Sequence, residues 1–103
     1  MGRRKIPETQ YRASRVCRIL GNTTAYQIIR ALGRKRKTPT ELADELGLSV
    51  AVVSLTLRAL RNIDLVRYET KMNQREYWIK ETVVLDIADK LEKFVKRIRI
   101  KQW

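Results

Sequence analysis

Histidine is missing from this 103-residue chain, and cysteine occurs once. Imidazole and thiolate are the side chains soft enough to hold zinc or arsenic tightly, so their scarcity argues against a metal centre. The remaining acids of the C-terminal region, Asp86, Asp89 and Glu92, read more simply as solubilising and pairing residues. Without histidine, and with Cys17 on an apolar helix face, no nucleophile–base pair presents itself, and catalysis is not expected. One thiol forms no internal disulfide, which agrees with a cytoplasmic protein. No apolar run approaches the roughly 18 residues of a membrane span. The opening MGRRKIPETQ has no apolar signal core. Linkers and repeats are also lacking, so residues 1–103 read as one domain without a cofactor. Few amides beside 33% charged residues give the composition a thermophilic lean.

Acidic residues are the other scarcity: 11 against 23 Lys and Arg, a net charge of +12. Residues 1–37 hold eleven of the basic residues against Glu8 alone. Residues 38–65 are by contrast slightly acidic. The positive field therefore comes from a basic N-terminal arm over 1–7 (Arg3, Arg4, Lys5), from Arg12, Arg15 and Arg18, and from the run Arg34-Lys35-Arg36-Lys37. Such an imbalance suits a nucleic-acid partner.

The most informative stretch is 38–62. Thr38 has the position of an N-cap, with Pro39 at the first helical position and Glu41 closing a capping box. Leu42, Ala43 and Leu46 share one face, and Gly47 suits a left-handed stop. Ser49 caps a second helix in which Val53, Leu57 and Leu60 recur at helical spacing. Helix, short Gly-containing turn, helix is the pattern of a helix-turn-helix. Residues 65–80 then read as a β-hairpin, with Leu65, Val66, Tyr68 and Tyr77, Trp78, Ile79 as strand formers around a tip of Lys71 to Arg75. This is the position of a wing.

Three further helices complete the order α1-α2-α3-α4-β-β-α5, mainly α with a small β-hairpin. Residues 8–20 carry Ala13, Val16, Cys17 and Leu20 on one face. Residues 23–32 carry Ala25, Ile28, Ile29 and Leu32, with Gly33 as the stop. Residues 82–100 carry Val84, Ile87, Leu91, Phe94, Val95 and Ile98, and the 84, 91, 98 spacing fits a helix–helix seam.

The motifs ELADELGLS, the Val53–Ser54 pair, the run LRALRN and the LV entering the wing make this sequence similar to the ArsR/SmtB-type winged-helix regulators of bacteria and archaea over about residues 10–100. Two departures stand out. Asp64 occupies a position where that family usually has Gly, although Asp tolerates a left-handed backbone. The wing tip also lacks its usual Gly, and Asn73 is the natural substitute. The resemblance implies a homodimer built from the first and last helices, with Val16, Cys17, Leu20, Val84, Ile87, Leu91, Phe94, Val95 and Ile98 at the interface. The cysteines and histidines that bind metal in many of these regulators have no counterpart here.

The expected function is a sequence-specific, double-stranded-DNA-binding transcriptional regulator, a homodimeric repressor without a metal effector. Its DNA-facing residues would be Arg34, Lys35, Arg36, Lys37, Thr38 and Thr40 before and within the first helix of the pair. Ser49, Val50, Ala51, Ser54, Leu55 and Arg58 would follow on the second, and Lys71, Asn73, Gln74 and Arg75 on the wing. Only Ser54 and Arg58 on the outer side of the second helix carry hydrogen-bonding groups, which is apolar for a base-reading surface. That leaves two alternatives: a winged-helix protein-interaction module in a transcription-related assembly, and RNA binding through the basic arm.

Overall fold

A computed structural model describes residues 5–98. Arg3, Arg4 and the last two positions expected for the final helix lie outside the described residues. The order is α1 (Glu8–Leu20), α2 (Thr23–Leu32), α3 (Pro39–Leu46), α4 (Val50–Asn62), β1 (Val66–Lys71), β2 (Gln74–Ile79) and α5 (Val83–Ile98). This is the winged helix-turn-helix arrangement read from the sequence.

The core forms where the apolar stripes of α2, α3 and α4 meet. Ile28, Ile29 and Leu32 of α2 pack with Leu42 of α3, with Val53, Leu57 and Leu60 of α4, and with Val66 from the hairpin, all essentially inaccessible to solvent. Every one of these positions follows from helical periodicity. Local chemistry sets the helix starts. Asn22 Oδ1 accepts from Ala25 N at 3.0 Å, and Ser49 Oγ accepts from Val52 N at 3.1 Å. No buried side-chain polar atom lacks a partner among the described residues.

The hairpin pairs Val66 with Ile79 and continues in register to Lys71 with Gln74. Its turn is only Met72–Asn73, tighter than the five-residue tip expected, so Lys71, Gln74 and Arg75 belong to the strands. Both turn residues have positive φ (49° and 65°), as a two-residue type I′ turn requires. Asp64 also adopts positive φ (65°), the left-handed turn anticipated where Gly was missing. Lys37 exchanges two backbone hydrogen bonds with Tyr77, adding a single-residue bridge to the outer edge of β2.

The first and last helices are loosely held. α1 buries no residue fully; Val16, Ile19 and Leu20 are half-buried and Cys17 is exposed. α5 contributes Val84, Leu85 and Ala88 to the core, and everything beyond Ala88 is exposed. Val84 therefore does not join the expected seam: it lies inside its own chain, because only the first turns of α5 rest on the body. The radius of gyration is 15.7 Å, against about 13 Å for a typical 100-residue domain. No helix among the described residues is long and apolar enough to cross a membrane.

Candidate nucleic-acid interface

The helix pair is shaped by its caps. Thr38 Oγ1 accepts from Glu41 N at 3.1 Å, and Glu41 Oε1 accepts from Thr38 N at 2.8 Å, a complete capping box. Gly47 ends α3 in the left-handed conformation (φ 68°), and its N–H bonds the Ala43 carbonyl. Two residues later Ser49 starts α4. With Val53, Leu57 and Leu60 fixed inward, the opposite side of α4 must face solvent.

That outer side is as apolar as the sequence implied. Leu55 is 66% exposed, Val50 45% and Val52 44%. Ala51 and Arg58 are exposed and Ser54 is half-buried. Val52 was not among the expected contacts. It sits beside Val53 in a run of similar residues, and only the exact rotation of the helix separates the two.

The basic residues around this helix divide into free and engaged groups. Arg34, Lys35 and Arg58 are exposed and form no ion pair among the described residues. Arg36 stacks over Trp78 at 4.0 Å and pairs with Glu69. Lys37 is turned inward: its Nζ donates to the Ala31 carbonyl at 2.7 Å and to Glu45 at 2.5 Å, with its side chain only 17% exposed. Lys71 stands 3.7 Å from Glu69 and 3.8 Å from Glu76. Arg75 lies over the Tyr68 ring at 4.5 Å. Asn73 and Gln74 are exposed at the hairpin end.

Two expected contacts change meaning. Thr38 is 9% exposed and its hydroxyl oxygen serves the capping box, so it builds α3 instead of offering itself to a ligand. Lys37 fastens α2, α3 and β2 together. Thr40 remains exposed in the first turn of α3. The cap was legible at Thr38, but the inward turn of Lys37 was not visible in a one-dimensional run of four basic residues.

Residues 20–69 match the family model of the helix-turn-helix domain. The whole fold matches solved structures of winged-helix regulators. HlyU from Vibrio cholerae superimposes with a TM-score of 0.77 at 22% identity, covering 86% of this chain and 97% of that one. This chain has the winged helix-turn-helix fold. The winged-helix chain is also similar to NolR from Sinorhizobium fredii, with a TM-score of 0.74 at 20% identity over 89% of this chain and 96% of that one. A third match is a domain from Mycobacterium bovis described as a homodimeric winged helix-turn-helix DNA-binding domain and a possible ArsR-family regulator. Its TM-score is 0.74 at 18% identity, over 100% of this chain and 99% of that one. The resemblance read from the sequence thus holds at the level of the winged-helix fold. No curated protein matches the sequence significantly. Among the described residues no group of three or more metal-ligating side chains comes together.

Proposed function

We propose that this winged-helix chain is a cytoplasmic, homodimeric DNA-binding transcriptional regulator that represses by occupying its site, with no metal effector and no catalytic activity. The observation that carries the reading is the solvent-facing side of α4, flanked by Arg34 and Lys35, unpaired among the described residues, before the helix pair and by the exposed wing after it. An α-helix fits the major groove, and cations on both flanks would hold the phosphates that fix its register.

The dimer is supported by α5. Ile87, Leu91, Phe94, Val95 and Ile98 are each 36–55% exposed along one stripe, a surface too apolar to leave in water. The Mycobacterium bovis domain of the same fold is described as homodimeric. A two-fold axis through α5 would present two recognition helices to one face of DNA, reading a roughly palindromic site.

Readout would be modest. Arg58 and the half-buried Ser54 are the hydrogen-bonding groups on the exposed side of α4 that can meet base edges, while Val50, Ala51, Val52 and Leu55 can touch thymine methyls. Affinity would then rest on phosphates and DNA shape. If Arg58 reads a guanine, Arg58→Ala should cost about 1–3 kcal/mol at one position per half-site.

Selection from a random double-stranded library, followed by gel shift at several salt concentrations, tests the reading. The expected result is an enriched A·T-leaning palindrome whose binding weakens steeply with salt. A library with no enriched motif overturns it. The exposure of Val50, Val52 and Leu55 favours one second reading, a protein-interaction module using the same helix. In that case Leu55→Asp should abolish capture of a protein partner and leave DNA affinity unchanged.

A further inference from the structure

The hairpin is extended on its β2 side by the Lys37 bridge and open on its β1 side. Tyr77 spends its outward N–H and C=O on Lys37. Its partner across the ladder is Tyr68. In an antiparallel pair, residues that do not bond each other turn their backbone groups to opposite edges. Tyr68 therefore points its N–H and C=O away from β2, as does Thr70 two residues on. Neither makes a backbone hydrogen bond outside the hairpin among the described residues.

That free edge lines an open groove of about 720 Å³ whose other wall is the end of α4, with Arg61, Asn62, Asp64, Arg67 and Glu69 among its lining. The groove meets a second one, lined by Arg12, Arg15 and again Asn62 and Asp64. The charge here is uneven. Asp64 is held by Lys80 and by Arg67, and Glu69 by Arg36. Arg61 lies over the Tyr68 ring at 4.9 Å and has no acidic partner among the described residues. Arg15 likewise has none.

We infer that the outer edge of β1 is a docking site for an extended, acidic peptide segment of a partner protein, which adds as a further strand between β1 and the end of α4. The backbone alternates donor and acceptor along Tyr68 and Thr70, a pattern that another peptide backbone complements and a phosphodiester, which only accepts, does not. Alternate side chains of the added strand would face Arg61 and Arg15, which selects carboxylates. The site lies away from the outer side of α4 and does not depend on the DNA-binding reading.

The test is fluorescence anisotropy of the full chain with a labelled eight-residue peptide of alternating Glu and Val. Three competitors accompany it: the same peptide N-methylated at alternate amides, a Lys–Val counterpart, and a single-stranded oligonucleotide. Saturable binding in the micromolar range is expected, at least tenfold weaker for the N-methylated and Lys–Val peptides. Arg61→Glu should weaken binding of the acidic peptide at least tenfold. Thr70→Pro should do the same, since it removes only an edge-facing N–H, the position where a strand tolerates proline. Circular dichroism and an unchanged cooperative thermal transition check that both variants fold. Equal binding of the N-methylated peptide, equal binding of the Lys–Val peptide, or full displacement by the oligonucleotide overturns the inference.

Discussion

Tyr26 Oη donates to Glu92 Oε2 at 2.7 Å, joining the middle of α2 to the exposed half of α5. Arg30, one turn along, pairs with Asp89 at 2.8 Å and Glu92 at 3.2 Å. α5 leaves the core after Ala88, so this polar bracket sets its direction. Burial, and then the hydrogen bond to Glu92, raise the Tyr26 pKa above its ordinary 10.0. The folded chain thus favours the protonated phenol. Its contribution is complete below pH 10 and is lost as pH rises through the higher folded value. Thermal unfolding followed from pH 8 to 11 should show a decline that Tyr26→Phe flattens.

Position 38 and positions 34–35 should separate cleanly. Thr38→Ala removes a cap and should cost about 1 kcal/mol of stability with no change in the salt dependence of DNA binding. Arg34→Ala with Lys35→Ala should leave the melting temperature nearly unchanged. The double variant should also lower the slope of log affinity against log salt by about 0.9 for each phosphate contact removed. Calorimetry beside a salt-series gel shift reads both.

The wing turn carries a removable strain. Met72 sits at φ 49° and is 96% exposed, where a side chain with a long γ-branchless stem has nothing to pack on. Exchanging the pair for Asn-Gly (Met72→Asn with Asn73→Gly) should stabilise the chain by about 1 kcal/mol, since left-handed backbone costs roughly that much for an ordinary residue. Chemical denaturation measures it; an unchanged midpoint would mean the turn is unstrained.

Leu91→Asp or Phe94→Asp places a charge in the exposed stripe of α5. If the stripe is a dimer seam, sedimentation should show a dimer for the parent chain at tens of micromolar and a monomer for either variant. Both variants should keep the parent's secondary structure, because neither side chain belongs to the core.

The helices were legible because their signals are local. The limits of α1 and α2 agree with the spacing of Val16, Leu20, Ile28 and Leu32, and the capping residues Thr38, Gly47 and Ser49 act as their types suggest. The hairpin was legible as a hairpin, and Asn73 as the left-handed substitute for Gly, but not its tight turn: nothing marks Met72 as the other residue of positive φ. Val84 was misplaced because periodicity gives a helix's face but not the point at which the helix departs from the body. The partners of Arg36 and Lys37 come from α2, α3 and the hairpin, six to more than forty residues away along the chain, and no local pattern encodes them.

Lys37 links its backbone to β2 and its amine to α2 and α3, one residue before the cap that starts the helix pair. Hairpin and helix pair are consequently pinned to each other through this one residue. A duplex engaged by both parts would have to supply the give itself, by widening a groove or opening a flexible step. Sequences that deform easily would then be favoured at base pairs no side chain reaches.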